Sequence, residues 1–239
     1  MLAISNLSNS LFWAILVGWI MTVVLHEFAH GIVAYWGGDY TIRERGGLTL
    51  NPLQYVDPVF SILLPIVFLM MGGIPLPGGS TYIRRDLLRG RGWNTAVSLA
   101  GPAMNLLLFF LCALPLHPKL GWFDPSSDAA TGGIAGATNA QVFLGAMAIL
   151  QLMAVALNLC PVPPLDGFQA LSPWLSPELR TKVGTPPISN FLMFGFFVAV
   201  WKLPMMLWIL EYLAMPLLKI LGFGDTRIFF WSALHNALS

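Results

Sequence analysis

A long apolar stretch that contains three ionisable side chains constrains this chain more than any other feature. Residues 11–36 form a run of mostly apolar residues that is long enough to span a bilayer. Its second half carries His26, Glu27 and His30 in the pattern HExxH. Ionisable groups at bilayer depth cost roughly 2.5 kcal/mol or more each, so they tend to be functional. The sequence therefore predicts a membrane helix that carries a chemical site.

The spacing of the motif predicts a metal site. On a helix, His26 and His30 lie one turn apart on the same face, so both imidazoles can bind one Zn²⁺. Glu27 beside them can hold a water molecule at that metal. A chance match in a chain with so few His and Glu residues is expected on the order of one time in a thousand. We therefore interpret the motif as a metal-hydrolase core within a membrane.

Composition supports a membrane protein. The chain is 56% hydrophobic and only 10% charged, with a mean hydropathy of +0.73. Its net charge of +1 argues against nucleic-acid binding, because no basic stripe is available to neutralise a phosphate backbone. Cys112 and Cys160 lie in or at the end of apolar segments, where a small buried side chain is a better interpretation than a disulfide.

Further apolar segments predict an all-α polytopic protein with a bundle of about 4–6 membrane segments. Spanning helices are predicted at 94–116 and 140–159. The apolar run 188–221 is interrupted by charged residues, so it is interpreted either as one helix plus an interfacial helix or as two helices. The run 59–71 has Pro65 at its centre and is short for a straight transmembrane helix.

The basic residues predict the topology. Arg43 and Arg45 lie before the short apolar run and the Arg-rich segment 84–91 follows it, so both loops are expected in the cytoplasm. Residues 59–74 would then enter and leave by the same face as a re-entrant segment, with a kinked full span as the alternative. The sequence of 40–50 is β-favouring and rich in Gly, which predicts a short cytoplasmic strand or hairpin.

A catalytic zinc takes three protein ligands, and Asp166 is the best candidate for the third. It lies in the Pro-rich segment 160–167, where the prolines end the preceding apolar helix. Irregular backbone at that depth should line a cavity. The alternative is an Asp that caps a turn before Gly167. His117 and His235 are weaker candidates, since lone loop histidines are more often surface residues.

Taken together, the motifs resemble the site-2 protease family of intramembrane zinc metallopeptidases. HEFAH at 26–30 and NLCPVPPLDG at 158–167 carry the resemblance, and LTLNP at 48–52 and GPAMN at 101–105 also look like the core of that family. The similarity extends over roughly residues 11–175.

The resemblance implies cleavage of a transmembrane segment of a membrane protein substrate within the lipid bilayer, as in regulated intramembrane proteolysis. It implies one zinc per chain, held by His26, His30 and Asp166. By the same match, Glu27 is the catalytic base and Asn158 contacts the substrate or its oxyanion. It also implies a multi-pass protein of a bacterial or archaeal cell membrane, with the active site toward the cytoplasmic side.

We expect a single membrane-embedded domain over 1–239, with its core at 11–175 and C-terminal helices at 188–221. The sequence shows no PDZ domain between the core helices and no CBS-like domain after them, which predicts a compact form of the family. Phe168 occupies a place where relatives often carry a second glycine, which affects local packing more than ligation.

Some features leave alternatives open. Asn105 and Gln151 are candidates for supporting the site, or for hydrogen bonds that only hold the bundle. A strand edge at 40–50 or 76–83 is a candidate for holding an extended substrate by β-addition, or is only a loop. The rival functions are a catalytically inactive homologue, although Glu27 and all the ligands are present, and a membrane ion or metal transporter, although no inverted repeat is found.

Overall fold

The computed structural model describes residues 2–63, 65–66, 78–120, 122, 137–202, 215–223, 229–230 and 232–233. This part of the chain is mostly helical and contains no β-strand. Its α-helices are α1 (Leu2–Gly37), α2 (Thr41–Glu44), α3 (Arg91–Ala113), α4 (Asn139–Asn158), α5 (Asp166–Leu171), α6 (Pro177–Gly184), α7 (Ile188–Lys202) and α8 (Met215–Ile220). Shorter 3₁₀ turns include Pro52–Tyr55, Arg85–Leu87 and Ser172–Trp174.

Three of the described helical segments are long and apolar enough to cross a membrane. They are Ser10–Gly37, Arg91–Leu116 and Asn139–Asn158. A fourth span results if Pro177–Gly184 and Ile188–Val200, which meet at a bend of 61°, are counted together. The three spanning helices predicted from the apolar runs are therefore confirmed as helices of sufficient length. In the C-terminal run, the stretch 203–214 lies outside the described residues.

The predicted strand or hairpin at 40–50 is wrong. The segment begins with the helical turn Thr41–Glu44, followed by turns and irregular backbone. The physical reason is local: the carboxylate of Asp39 accepts a hydrogen bond from Thr41 Oγ1 at 2.6 Å and pairs with Arg45 Nη2 at 2.8 Å. Such bonds from a short acidic side chain offer the backbone an alternative to a strand ladder. The β-branched Ile42, which favoured a strand in the sequence, is instead buried in a core cluster.

The predicted re-entrant segment at 59–74 is described only in part. A π-helical turn covers Pro58–Leu63, and most of the remainder lies outside the described residues. Its flanking loops meet at Asp39, which is fully buried: one oxygen of this carboxylate pairs with Arg45 and accepts the backbone N–H of Arg84 at 2.9 Å. The two basic loops thus contact each other at this carboxylate, and their cytoplasmic location stays a prediction.

The chain divides into two compact units. The first comprises 1–19, 106–153 and 207–239, and the second comprises 20–105 and 154–206. The first unit has an aromatic core in which the Phe223 and Phe230 rings lie 5.3 Å apart in an edge-to-face arrangement. The second unit contains every residue that the sequence analysis assigned to the catalytic and metal site. The single domain over 1–239 stays a prediction.

Candidate metal centre

Two imidazoles face each other in the second half of α1. His26 and His30 lie one helical turn apart, and their Nε2 atoms are separated by 3.1 Å. Both side chains are buried, with 8% and 5% of the residue surface exposed. The helix forms here because the run is apolar and continuous, so the histidine pair is a local consequence of the i, i+4 spacing.

Asp166 completes a triangle of donor atoms. It is the first residue of α5, and its Oδ2 lies 3.2 Å from His26 Nε2 while its Oδ1 lies 3.3 Å from His30 Nε2. A tetrahedral zinc with ligands at about 2.0–2.2 Å has ligand-to-ligand edges of about 3.3–3.6 Å. Each carboxylate oxygen thus lies from one imidazole nitrogen at nearly the distance between two ligands of one zinc ion, and one donor atom from each of the three residues lies within 4.8 Å of the other two.

The Nδ1 atoms of both histidines, which point away from the donor triangle, already have hydrogen-bond partners. His26 Nδ1 hydrogen-bonds to Asn105 Oδ1, and His30 Nδ1 donates to the backbone oxygen of Val97 at 2.6 Å. A proton on each Nδ1 leaves the lone pair of each Nε2 directed at the centre of the triangle. Asp166 Oδ2 is buried there and makes no hydrogen bond within the described residues. Three converging lone pairs repel one another unless a cation lies between them, so the donor set fits a metal ion.

Gly101 on α3 leaves room for this arrangement. A Cβ atom added to it would lie 2.3 Å from His30 Nε2 and 2.4 Å from His26 Nε2, far inside van der Waals contact. Val97, Gly101 and Asn105 follow one another at four-residue spacing, so they share one face of α3. This face supplies an acceptor to His30, space for both imidazoles, and a partner for His26.

The start of α5 is held in place by close packing. A Cβ on Gly167 would lie 2.1 Å from the backbone oxygen of Leu159, so only glycine permits this approach. The hydroxyl of Thr95 donates to the Ala170 backbone oxygen at 2.8 Å and ties α5 to α3. As a metal ligand, Asp166 would act as the ionised carboxylate.

Glu27 is buried beside the donor triangle. Only 7% of its surface is exposed, and it is close enough to His30 to interact electrostatically. The segment at 78–81 lies against it: a Cβ on Gly79 would lie 3.2 Å from Glu27 Cγ, and Thr81 Oγ1 donates to the Glu27 backbone oxygen at 3.3 Å. No hydrogen bond or ion pair reaches the Glu27 carboxylate from the part of the chain that the structure describes. The carboxylate is thus available to exchange a proton with a bound molecule.

Asn158 is the last residue of α4 and is half-buried. Its amide makes no hydrogen bond to another described residue. Of the two candidates for supporting the site, Asn105 contacts His26, whereas Gln151 is fully buried and belongs to the first unit. His117 also belongs to the first unit, where its Nε2 lies 3.2 Å from the Leu221 backbone oxygen.

Sequence reasoning missed several supporting groups. The Val97 carbonyl carries no side-chain signal, so no motif points to it. The glycine at 101 was recognised as part of a family-like motif, but its function of leaving space for both imidazoles required the structure. His235, the remaining histidine candidate, lies outside the described residues.

Comparison with known proteins finds zinc metalloproteases. A protein of Mycolicibacterium smegmatis named "Putative zinc metalloprotease Rip2" is 36% identical over 228 residues, which are 93% of this chain and 82% of that protein. Its namesake in Mycobacterium tuberculosis is 39% identical over 76% of this chain and 64% of its own length. The Bacillus subtilis protein YwhC, named in the same way, is 31% identical over 73% of this chain and 75% of its own length.

No protein-family model matches the chain, and no solved structure matches it. The relatives nevertheless cover most of this chain and, for two of them, at least three quarters of their own lengths. Their names agree with the donor set of two histidines and one aspartate, and the apolar helices agree with a multi-pass membrane protein. The chain therefore belongs to the site-2 protease family and is a zinc metallopeptidase of the membrane.

Proposed function

We propose that the chain is an intramembrane endopeptidase that hydrolyses a peptide bond within a transmembrane segment of a membrane protein, as in regulated intramembrane proteolysis. The observation that carries this proposal is the depth of the donor triangle on a spanning helix. Seven residues separate His30 from the end of α1 at Gly37, and eleven separate His26 from it. At 1.5 Å per residue these positions lie about 10–16 Å below the helix end, which is within the hydrocarbon layer.

The metal-binding roles go to His26, His30 and Asp166. Their donor atoms form the triangle described above, and the Nδ1 partners of both imidazoles keep the Nε2 lone pairs available. A zinc ion bound in such a site polarises a carbonyl group and lowers the pKa of water. Zinc ligands in other proteins are oriented in the same way by partners behind them.

Glu27 is the proposed general base. It takes a proton from the attacking water while the water oxygen joins the scissile carbonyl carbon. As the C–N bond breaks, Glu27 returns the proton to the leaving amine, so that the products are a carboxylic acid and an amine, which become a carboxylate and an ammonium group at neutral pH. The lack of a partner for its carboxylate within the described residues supports this role. A glutamate committed to an ion pair would be a poorer proton acceptor.

Asn158 is the proposed donor to the substrate carbonyl. Its side-chain amide is half-buried and makes no hydrogen bond within the described residues, so its N–H groups are available for a ligand. A donor of this kind that contacts a developing oxyanion is typically worth about 2.7–4 kcal/mol of barrier lowering.

An unwound substrate would have a neighbour in the segment at 78–83, which has no regular secondary structure and lies next to Glu27. An extended chain laid along it would present its peptide bonds near the proposed base, in the manner of β-addition. The basic loops at the adjacent end of this unit, including Arg45 and Arg84, support a cytoplasmic opening of the site. The relatives named above are bacterial proteins, which agrees with a cell-membrane location.

The test is proteolysis of a model transmembrane substrate by the purified protein, with bound zinc quantified. Glu27→Gln should abolish cleavage while zinc content stays equal to that of the wild type. Glu44→Gln is the matched control, because Glu44 is exposed on α2 and makes no hydrogen bond or ion pair with another described residue. Cleavage by the E27Q variant would refute the role of Glu27. A zinc-loaded wild type that cleaves no transmembrane substrate would favour a catalytically inactive homologue.

A further inference from the structure

Arg85 carries a charge into the second unit and is not used by the mechanism above. Its Nη1 donates to Ser98 Oγ at 3.1 Å and reaches the Asn94 backbone oxygen at 3.4 Å. Ser98 is fully buried, and Arg85 itself is half-buried. The neighbouring Arg84 behaves differently, because its guanidinium pairs with the exposed Asp86 at 2.7 Å.

The position of Arg85 relates it to the metal centre. Its two partners lie on α3 next to Val97, the residue whose carbonyl holds His30. Arg85 is also close enough to Asp166 for an electrostatic interaction, although no ion pair forms between them. Burial lowers the pKa of the Arg85 guanidinium and Asp166 opposes that shift, but an arginine remains protonated in proteins. A fixed positive charge therefore lies beside the donor triangle.

Most of the donors of this guanidinium are unused. Arginine has five N–H donors in a planar fork, and only Nη1 of Arg85 has partners in the described part of the chain. Nε and Nη2 form the edge that binds a carboxylate through two parallel hydrogen bonds.

Charge balance also favours an anionic ligand here. A zinc ion is neutralised by the carboxylates of Glu27 and Asp166 when both histidines are neutral, so Arg85 leaves the site with one unbalanced positive charge. At neutral pH, peptide hydrolysis forms a carboxylate at the new C-terminus and an ammonium group at the new N-terminus, and the carboxylate is the product group that a guanidinium binds. A half-buried cation and a carboxylate attract each other more strongly than they would in bulk water.

We propose that Arg85 is a product-binding residue that binds the C-terminal carboxylate of the cleaved chain through the free Nε and Nη2 edge of its guanidinium. The inference rests on the proposed function, because hydrolysis at the donor triangle is what generates the carboxylate. It names the ligand class of this site as a peptide of apolar residues with a free C-terminal carboxylate. The bond to Arg85 would slow the release of that product.

The experiment compares two probe peptides with the same four apolar residues and a dansyl group at the N-terminus. One ends in a free carboxylate and the other in an amide. Fluorescence anisotropy measures their binding to the zinc-loaded protein in detergent micelles, and the measured quantity is the ratio of the two affinities. Zinc content and thermal unfolding are recorded for every variant.

We expect Arg85→Gln to reduce the preference for the carboxylate by about tenfold or more, the range that the loss of a charge-assisted hydrogen bond gives. Arg84→Gln is the matched control: it removes the same charge at an exposed position and should change the ratio less than twofold. Arg85→Lys keeps the charge without the planar edge, so its ratio should lie between those of the wild type and R85Q.

An R85Q variant with wild-type zinc content and a ratio within twofold of the wild type would overturn the proposal. So would a wild type that fails to prefer the carboxylate probe, or that does not bind it. If R85Q does not fold, R85K tests the proposal instead: an affinity ratio of the two probes that equals the wild-type ratio in R85K also overturns the proposal. Since binding is measured without turnover, a failure to cleave substrate would count against the proposed function and not against this site.

Discussion

Replacement of Gly101 by alanine tests the geometry of the metal centre directly. The added Cβ would lie 2.3 Å and 2.4 Å from the Nε2 atoms of His30 and His26, whereas ordinary contacts are 3.4–4 Å long. Each imidazole, or α3 itself, would therefore have to move by about 1 Å. Zinc sites keep ligand distances within about 0.2 Å of their ideal values, so the displaced donors could not bind one ion together.

The expected result is a fall in zinc affinity of about a hundredfold or more, the upper end of what loss of supporting groups alone causes. The zinc-free protein should still fold. Overpacking costs about 1–3 kcal/mol, and alanine regains about 1 kcal/mol over glycine in a helix, so the free energy of unfolding should fall by about 0–2 kcal/mol.

The assay is competition for zinc between the purified protein and a chelator of known affinity, followed by thermal unfolding of the metal-free protein. Gly92→Ala is the matched control, because Gly92 lies on the same helix and a Cβ there would meet no atom within 4 Å. If G101A bound zinc as tightly as G92A, the described positions of the imidazoles relative to α3 would be wrong.

Three further predictions concern other polar side chains. Asn105→Ala removes the partner of His26 Nδ1, so zinc affinity should fall about 10–100-fold in the same competition assay; unchanged affinity would show that the bond does not orient the ligand. Asn158→Ala should lower the turnover of a model substrate about 100–1000-fold at unchanged zinc content, and metal loss in this variant would count against a role in oxyanion binding. Asp39→Ala removes the acceptor of three hydrogen bonds at a buried position, so a denaturant titration should show that the free energy of unfolding falls by about 2–4 kcal/mol. Asp86→Ala, which removes the exposed ion pair with Arg84, should change the free energy of unfolding little, and equal effects of the two substitutions would contradict the prediction.

Much of the architecture was predictable because membrane helices are encoded locally. An apolar run of 20 residues or more indicates a spanning helix by its length alone, and the three long helices were found this way. The predicted hairpin at 40–50 failed because propensity and Gly content were weighed without the hydrogen bonds of Asp39, which favour a helical turn there. Propensity is a weak guide in a short polar segment whose conformation one buried carboxylate can decide.

The same distinction between local sequence and tertiary packing applies to the site. The sequence alone determined that His26 and His30 share a helix face with Glu27 beside them, since these relations depend only on helical periodicity. It also made Asp166 the preferred third ligand, by the cost of an uncompensated carboxylate next to a membrane helix. The tertiary structure decided that Asp166 reaches His26 and His30, which lie more than 130 positions earlier in the chain. It also decided that Asn105 and Val97 bind the Nδ1 atoms of these histidines and that Gly101 leaves room for both rings. Such contacts depend on how segments that are far apart in the sequence pack together, and hydrophobic periodicity does not indicate which segments pack against each other.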